Sequence, residues 1–392
     1  MAGRILLIPD GPASLLYATE LVERLRQKRY SVQVAPTAYD GPSATAFVSE
    51  LSWATLSGHP CRAIEALDEA AFREQDLILL GPVSPRVFSI FCQGKALAYL
   101  QAAGRPVLGL LPQLTQGEAP PALPENPSFS QTMPPGSCLL AGGVPHSLGA
   151  LGTLFLPPLE EVLSQVDRLL SPQDYTGKRV LITAGPTAED LDPVRFLTNR
   201  STGKMGFALA RDAALRGAQV LLVHGPVSLP VPRLPNLTAI AVRSASQMHQ
   251  AVMENWQEQD LAILAAAVAD FQPLHCAETK IKKGESQELS LPLKRTPDIL
   301  ATLGALPRRP FLVGFAAESD DVEANAQLKL RKKHCDLLCA NDVRKPGCGF
   351  AVDTNQVTIL APDAPPLALP LTSKEDTAHA ILSEILRRLP KA

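Results

Sequence analysis

The sequence predicts an α/β protein with two doubly wound, three-layer domains built on mainly parallel sheets. Short apolar runs alternate with amphipathic helical patterns along the whole chain, which is typical of parallel strands covered by helices. A length of 392 residues suits two such domains better than one. The alternation also restarts after the stretch "SPQDYTGK", so we expect domains over residues 1–172 and 173–392.

In the first half, apolar runs predict four strands and periodic apolar positions predict three helices. The strands are "RILLIPD", "SVQVAPT", "DLILLGP" and "RPVLGLLP". The helices cover "SLLYATELVERLRQKRY", Phe88–Ala103 and Pro157–Leu170. The segment from Thr115 to Gly136 is rich in proline and weakly patterned, so we expect a long surface loop there.

The second half repeats the alternation with six strands of the parallel type. They are "RVLITAG", "AQVLLVHGP", "NLTAIAV", "DLAILAAAVAD", "PFLVGFAAES" and "DLLCAND". A seventh strand, "VTILAP", is expected to be antiparallel or at an edge. Helices are predicted at Lys204–Arg216, Ala245–Gln257, Asp298–Leu306, Val322–His334 and Lys374–Leu389.

Charge and composition exclude several classes of protein. The formal net charge is −2 and no basic run indicates a nucleic-acid surface. No segment reaches the roughly 18 continuous apolar residues of a membrane span, and the apolar run before Asp10 is too short for a signal peptide. The seven cysteines are odd in number and scattered, and we expect Cys335 and Cys339 to be buried thiols rather than metal ligands. We expect a cytoplasmic protein without nucleic-acid or membrane partners.

Hydrogen-bond donors cluster between the strand "RVLITAG" and the next helix. The first amides of a helix lack internal partners and carry partial positive charge, and a glycine there allows close approach of a ligand. The pattern favours a phosphate cradle, with an ordinary helix capped by Ser201 or Thr202 as the alternative. Met205 after Lys204 excludes a Walker A loop, and "GKMG" lacks dinucleotide-fingerprint spacing. The cluster comprises Arg195, Asn199, Arg200, Ser201, Thr202, Gly203 and Lys204.

Further polar groups follow other strands of the second half. Asp270 ends "AAAVAD" and could hold Mg²⁺ between phosphates, although an aspartate there is more often a cap or turn residue. Lys280 opens "KIKKG", which is either a solvated loop or a mobile loop that closes over a polyphosphate. "TPDIL" signals a helix start, and Lys329 and Lys333 share one helix face. Together these features imply a nucleoside triphosphate with a metal, and an acidic substrate.

From Lys178 to about Arg388 the sequence closely resembles phosphopantothenate–cysteine ligase, the second half of a bifunctional bacterial protein of coenzyme A biosynthesis. The resemblance is carried by the motifs "LITAGPTAEDLDPVRFLTNRSTGKMG", "AAAVADF", "KIKK", "TPDIL", "VGFAAES" and "CANDV". It implies a Rossmann-like domain that activates the phosphopantothenate carboxylate with CTP and Mg²⁺, giving an acyl-cytidylate and pyrophosphate. The amine of cysteine then displaces CMP. It also implies a homodimer through the ligase domain, within a larger homo-oligomer in some arrangements.

The resemblance assigns roles to individual residues. Asn199 is expected to bind substrate and process the acyl-cytidylate, Arg195 to hold anionic substrate groups, and Lys280 to be the mobile catalytic lysine. Asp270 is the expected metal ligand. The expected nucleotide site comprises Ser201, Thr202, Gly203, Lys204, Leu264, Ala265, Ala266, Asp270, Lys280, Pro297, Asp298, Ile299, Leu300, Phe315, Lys329 and Lys333.

The first half resembles the flavodoxin-like, FMN-dependent phosphopantothenoylcysteine decarboxylase domain of the same proteins, without its chemical residues. Asp68 stands where the family has a histidine, and "SPRV" and "PQLT" replace its flavin and Pro-Ala-Met-Asn motifs. Cys138 is displaced from the position of the active-site cysteine. We therefore expect a degenerate domain without FMN. Three alternatives stay open: an active bifunctional decarboxylase–ligase, a pathway scaffold or nucleotide sensor, and a nicotinamide-dependent reductase.

Overall fold

The computed structural model divides the chain into two compact units, Met1–Ser171 and Pro172–Ala392, here called the first and second units. The predicted division lay one residue later. The structure describes residues 3–10, 15–37, 48–83, 85–112, 133–141, 144–147, 153–282, 289–318, 321–342, 344–349, 352–362 and 364–390. Residues 115–132 of the predicted proline-rich loop lie outside the described residues.

The first unit contains a five-stranded sheet whose neighbouring strands are all parallel. Its strands are β1 (Arg4–Ile8), β2 (Ser31–Val34), β3 (Leu77–Leu80), β4 (Val107–Leu111) and β5 (Cys138–Ala141). Their order is β2-β1-β3-β4-β5, which is the flavodoxin-like order. Ile5 and Leu7 pack in one hydrophobic core, and Leu6 and Ile8 pack in another, because alternate side chains of a strand point to opposite faces. The predicted three-layer α/β class is confirmed.

The helices of the first unit differ from the prediction in the middle of the chain. The described helices are α1 (Leu15–Gln27), α2 (Glu50–Ser57), α3 (Glu69–Arg73), α4 (Pro85–Phe91), α5 (Gly94–Ala103) and α6 (Leu159–Leu170). The single helix predicted at Phe88–Ala103 is wrong, because the chain leaves helical geometry at Gln93 and restarts at Gly94, whose φ is +57°. The first unit also contains an antiparallel pair, β6 (Val144–Ser147) and β7 (Thr153–Leu156), and a single 3-10 turn at Ile64–Ala66 among its described residues.

The second unit contains an eight-stranded sheet with six parallel strands. The sheet strands are β8 (Arg179–Ala184), β11 (Gln219–His224), β12 (Leu237–Ala241), β13 (Leu261–Leu264), β16 (Phe311–Glu318), β17 (Leu337–Asp342), β19 (Thr358–Ala361) and β20 (Ala364–Ala368). Their order is β12-β11-β8-β13-β16-β17-β19-β20. The first six follow the Rossmann order 3-2-1-4-5-6, which reverses between β8 and β13. The strand predicted from "VTILAP" is β19, and it is antiparallel to both neighbours.

Helices cover both faces of the second sheet. They are α7 (Lys204–Leu215), α8 (Ala245–Asn255), α9 (Ile299–Gly304), α10 (Val322–Lys332) and α11 (Lys374–Arg388). Helices α7 and α11 share a core with Val180 and Ile182, whereas α8, α9 and α10 pack with Leu181 on the other face. Each predicted helix of this half is present, with ends shifted by up to two residues.

The second unit also contains three short antiparallel pairs, of which the amphipathic pattern "LSLPLKR" predicts one strand, Leu293–Arg295. The pairs are β9 (Ala188–Asp190) with β10 (Phe196–Thr198), β14 (Phe271–Pro273) with β15 (Leu293–Arg295), and β18 (Thr354–Asn355) with β21 (Thr372–Ser373). The other strands of two or three residues are too short to show a period of two. Two of these pairs lie in the loops that follow β8 and β13, and so they shape the carboxyl edge of the sheet.

Helix α7 packs unusually close to β8 because Gly206 has no side chain. A Cβ built on Gly206 lies 2.5 Å from Ala184 Cβ and 3.0 Å from Ala184 Cα. We therefore expect Gly206→Ala to lower the free energy of unfolding by about 1–3 kcal/mol through overpacking. Denaturant unfolding measures the loss. The double variant Gly206→Ala/Ala184→Gly removes the opposing methyl group and should recover part of it, whereas equal stability of Gly206→Ala and the parent protein would contradict the packing argument.

An ion-pair cluster joins α7 to α11 through His379. His379 Nδ1 lies 3.3 Å from Asp212 Oδ2, and the buried Arg216 pairs with Asp174 at 2.7 Å and Asp212 at 3.6 Å. The hydrogen bond to Asp212 raises the pKa of His379 above its ordinary 6.5, and burial and Arg216 oppose the shift. A raised pKa stabilises the folded protein below about pH 6.5, and the contribution is lost as pH rises through the folded-state value.

We therefore expect His379→Gln to destabilise the protein more at pH 5.5 than at pH 8.5. Half of the His379 side chain is exposed, so screening keeps the difference below about 1 kcal/mol. Denaturant unfolding of both proteins at the two pH values measures it. A stability difference that is constant or grows with pH would contradict the assignment.

Candidate functional site

The described residues of the second unit form a cavity of about 870 Å³ beyond the carboxyl ends of its parallel strands. Thr183 at the end of β8 and Leu264 at the end of β13 lie on its wall. The strand order reverses between these two strands, and ligands of doubly wound sheets bind at such a reversal. The cavity is large enough for a nucleotide or another ligand of that size.

The first wall of the cavity runs from Asn199 to Gly206 and comprises the end of the β8–α7 loop and the first residues of α7. Gly203 is the residue before α7 and has φ +81°, a left-handed conformation that glycine adopts at no steric cost. Among the residues that the structure describes, no side chain caps the first amides of α7. The cap position of α7 is Gly203 rather than Ser201 or Thr202, and Ser201 Oγ accepts from the Gly203 amide at 3.3 Å. The α7 amides remain available to an anion.

Asn199 connects this wall to the β13 strand end. Its Nδ2 donates to the carbonyl oxygens of Ala267 at 3.0 Å and Val268 at 3.1 Å. These two bonds use both amide hydrogens and fix the plane of the side chain. Asn199 lies on the cavity wall, and its carbonyl oxygen is the polar atom that these bonds leave for a ligand.

The second wall is the segment from Leu264 to Asp270. Its backbone is held by two threonines of the neighbouring strand end: Ala266 N donates to Thr183 Oγ1 at 3.2 Å and Ala269 N to Thr187 Oγ1 at 3.0 Å. On the other side, Thr296 Oγ1 donates to the Ala269 carbonyl. The small side chains leave this backbone open to the cavity, so a flat ligand can lie against it.

The third wall is the start of α9, together with Lys329 of α10 and Lys333 directly after that helix. Asp298 caps α9 by accepting from the Ala301 amide at 2.9 Å, and it also pairs with Lys333. Burial opposes ionisation of Asp298, but the bonds from Lys333 and Ala301 outweigh it and lower its pKa. The helix start that "TPDIL" signals is present, and its cap is Asp298, which accepts from the Ala301 amide, whereas Thr296 donates to the Ala269 carbonyl.

The cavity wall is strongly cationic. Its acidic residues are Asp270 and Asp298, and its basic ones are Arg200, Lys204, Arg295, Lys329, Lys333 and Lys374. Lys374 is 4% exposed, and its Nζ donates to the carbonyl oxygens of Gly349 at 3.0 Å and Val352. Burial, and then the nearby charge of Lys204, lower the pKa of Lys374. Such a wall attracts a ligand with several negative charges.

Most of the residues expected from the sequence lie on this one wall. They are Asn199, Ser201, Thr202, Gly203, Lys204, Leu264, Ala265, Ala266, Asp270, Pro297, Asp298, Ile299, Leu300, Phe315, Lys329 and Lys333. Arg195 and Lys280 lie off the described wall. The Arg195 guanidinium bonds to Asp192 and to the Ile281 carbonyl, and Lys280, beside Ile281, is exposed.

Sequence reasoning missed three polar residues of the wall: Arg295, Asn355 and Lys374. Lys374 opens α11 directly after the capping residue Ser373, a position that normally faces solvent. Nothing in the sequence signals that this lysine turns inward. Asn355 is 4% exposed and belongs to the two-residue strand β18, which has no periodic signal.

Three cysteines of the second unit, Cys335, Cys339 and Cys348, are buried, whereas Cys276 is exposed. Cys335 is 4% exposed and Cys339 is fully buried, so the prediction of buried thiols is confirmed. Burial raises the pKa of Cys335 to about 12, which keeps it a thiol at neutral pH. The described part of the chain contains no group of three or more His, Cys, Asp or Glu side chains arranged to hold a metal. It also contains no helix that could span a membrane.

Known proteins match both units of the chain. Residues 175–389 match the family described as "DNA/pantothenate metabolism flavoprotein C-terminal domain". The chain is 38% identical over 401 residues to the Vibrio cholerae "Coenzyme A biosynthesis bifunctional protein CoaBC", which covers 97% of this chain and 98% of that protein. It is 43% identical over 265 residues to a "Cysteine/Cysteine sulfinic acid decarboxylase" of an unknown prokaryotic organism, covering 66% and 72% of the two chains.

Among solved structures, the chain is similar to the crystal structure of the C-terminal domain of a coenzyme A biosynthesis bifunctional protein CoaBC. The identity is 41%, and the match covers 55% of this chain and 98% of that one with a TM-score of 0.47.

Proposed function

The chain belongs to the family of coenzyme A biosynthesis bifunctional proteins, and from this premise we propose that its second unit ligates phosphopantothenate to cysteine with CTP. The reaction passes through an acyl-cytidylate. The observation that carries the proposal is the single cationic cavity where the uncapped start of α7, Asn199 and four lysines converge. A site for a triphosphate and a phosphorylated acid needs this charge.

The proposed chemistry has two displacements. A substrate carboxylate oxygen attacks the α-phosphorus of CTP, and pyrophosphate leaves with the electron pair of the broken P–O bond. The cysteine nitrogen then attacks the acyl carbon, CMP leaves, and the nitrogen loses a proton. The α7 amides, Lys204, Lys329 and Lys333 are the fixed dipoles and charges that stabilise negative charge as it moves between oxygens.

Asn199 and Lys280 have different roles in this scheme. Asn199 is held rigidly at the cavity wall by two carbonyl bonds, so its own carbonyl oxygen can orient the acyl-cytidylate for attack by the amine. Lys280 is exposed and lies off the described wall, so it has to move to reach the phosphates. Arg195 joins the site through Ile281, the neighbour of Lys280.

Asp270 fits a magnesium ion bound together with the nucleotide. Mg²⁺ is usually held by one or two carboxylates with substrate phosphates and water supplying the remaining ligands, and Asp270 is an exposed carboxylate on the cavity wall. The ion supplies charge neutralisation at the phosphates. The nucleotide preference for CTP over ATP comes from the family resemblance.

A homodimer through the second unit is supported by exposed apolar side chains on the hairpins of the carboxyl edge. Clusters of this kind mark association surfaces. They include Val194, Phe196, Phe271, Leu274, Leu289, Leu291 and Leu293, which are 37–60% exposed. Sedimentation of the purified protein gives its mass directly.

The first unit fits a flavin poorly. Its strand order reverses between β1 and β3, where flavodoxin-like domains bind FMN. Asp10, which follows β1, is a buried carboxylate that accepts from Thr37 Oγ1 at 2.7 Å, and its charge would oppose a flavin phosphate. Asp68, at the position of the family histidine, caps the short helix α3 through the Ala71 amide. We derive no decarboxylation step from these residues.

A bifunctional decarboxylase–ligase is the second candidate, because relatives are named bifunctional proteins and, in one case, a decarboxylase. One experiment separates the two. Purified protein is incubated with phosphopantothenate, cysteine, Mg²⁺ and either CTP or ATP, and products are identified by mass spectrometry. Phosphopantothenoylcysteine and CMP without a decarboxylated product are expected. Carbon dioxide release with flavin absorbance would favour the bifunctional enzyme, and intact nucleotide without product would contradict both.

A further inference from the structure

Two residues of the β9–β10 connection hold both backbone polar groups of Ile281. The Ile281 amide donates to Asp192 Oδ2 at 3.0 Å, and the Ile281 carbonyl accepts from Arg195 Nη2 at 2.7 Å. A third bond, from the Ala277 amide to the Leu191 carbonyl at 2.9 Å, joins the same two segments. Ile281 is thus a fixed point between Lys280 and Lys282, whose side chains are both exposed.

Asp192 is the centre of this arrangement, and its two oxygens have separate tasks. Oδ1 accepts from the amides of Val194 and Arg195, both at 2.8 Å, and so closes the local turn. Oδ2 accepts from the Ile281 amide, and from Arg195 Nε at 3.0 Å and Nη2 at 2.6 Å. The Asp192 side chain is fully buried, so this carboxylate depends on its donors for stabilisation.

Hydrogen bonds stabilise the negative charge of Asp192. The bonds from Arg195, and then those from the backbone amides, outweigh burial and hold the pKa of Asp192 well below its usual range. The carboxylate is therefore ionised at neutral pH, and the Ile281 contact is a charge-assisted hydrogen bond. A bond of this kind is short and directional, which suits an anchor.

We propose that Asp192 and Arg195 form a latch that anchors Ile281, so that Lys280 swings into the cavity about a fixed point. Asp192 is then a positioning residue for Lys280. Arg195 has the same role in this structure, because it bonds to the carbonyl of Ile281, the neighbour of Lys280. The inference rests on the proposed role of Lys280. The competing explanation is that Asp192 only closes its own turn through Oδ1.

Asp192→Asn separates the two explanations, because asparagine retains the turn acceptor and replaces Oδ2 with an NH₂ group. That group cannot accept from Ile281 or Arg195. We expect amide exchange at Ile281 to rise at least 10-fold and kcat of the ligase to fall 10- to 100-fold, with KM for CTP changing less than threefold. Asp190→Asn is the matched control, because Asp190 is in the same hairpin and pairs with Arg243 away from Ile281. Asp190→Asn should change neither amide exchange at Ile281 nor kcat.

A double-mutant cycle with Lys280→Gln tests whether the latch acts through the lysine. In the Lys280→Gln background, Asp192→Asn should cost less than threefold in single-turnover rate, because the group it positions is gone. Additive losses would overturn the latch, as would unchanged exchange at Ile281 in Asp192→Asn. If the parent protein has no ligase activity, the proposed function fails, and the exchange measurement alone still decides whether Asp192 anchors Ile281.

Discussion

Lys280→Gln is expected to lower the rate of acyl-cytidylate formation at least 10²-fold while leaving the melting temperature unchanged. Glutamine has a similar reach but no charge, so it cannot neutralise the phosphates during displacement at the α-phosphorus. Loss of one preorganised electrostatic partner commonly costs 10²–10³ in rate, or about 3–4 kcal/mol. Lys280 is exposed in the structure, so its replacement removes no packing.

Pyrophosphate release in the absence of cysteine measures this first step alone. Lys282→Gln is the control, since Lys282 is a second exposed lysine on the other side of Ile281. It should change the rate by less than about threefold, the range expected for a screened surface charge. Equal losses in the two variants would mean that the loop contributes only general positive charge. A normal rate in Lys280→Gln would remove the lysine from the proposed mechanism.

Asn199→Asp is expected to slow the second step about 10²-fold and to trap the acyl-cytidylate. The substitution puts a carboxylate oxygen where Nδ2 now donates to Ala267 and Val268, so two bonds become repulsive contacts with carbonyl oxygens. The side chain must turn away, and the acyl group loses the partner that orients it. Activation by CTP uses the α7 start and the lysines, and should continue.

Mass spectrometry of quenched reactions measures the trapped intermediate. Asn236→Asp is a matched control, because Asn236 Nδ2 also donates to two carbonyl oxygens, those of Ala214 at 2.8 Å and Ala218 at 2.6 Å. Those carbonyls lie in the last turn of α7 and just after it, and neither residue lines the cavity. This control should lose stability without accumulating acyl-cytidylate. Accumulation in both variants, or in neither, would contradict the role given to Asn199.

The parallel sheet and helices of the second unit were predictable because their signals are local. Each strand is a run of apolar residues, and each helix has a periodic apolar face, so elements such as β13 and α8 can be recognised without knowledge of their neighbours. The ends of the strands then identify the carboxyl edge of the sheet, and most of the expected site residues can be placed at that edge. The short hairpin β9–β10 lacks such a signal.

The positions of Arg195, Lys280 and Lys374 could not be predicted for a different reason. The sequence shows which strand a loop follows, but the direction in which a loop folds depends on contacts far along the chain. Arg195 turns to Ile281, 86 residues away, and Lys374 turns to the Gly349 carbonyl, 25 residues away. In the first unit, Gly94 similarly divides a helix that its apolar pattern presents as continuous.

The separation of the four hydrophobic cores has a consequence for how the two halves of the chain can evolve. Each core draws all its described members from one unit: two from the first and two from the second. Leu6 and Leu7 belong to the two cores of the first unit; Asp68 belongs to neither, and Cys138 packs against one of them as a partly buried apolar side chain. Selection can therefore discard a reaction in one half while the fold of that half persists. Substitutions there leave the cores of the other half untouched.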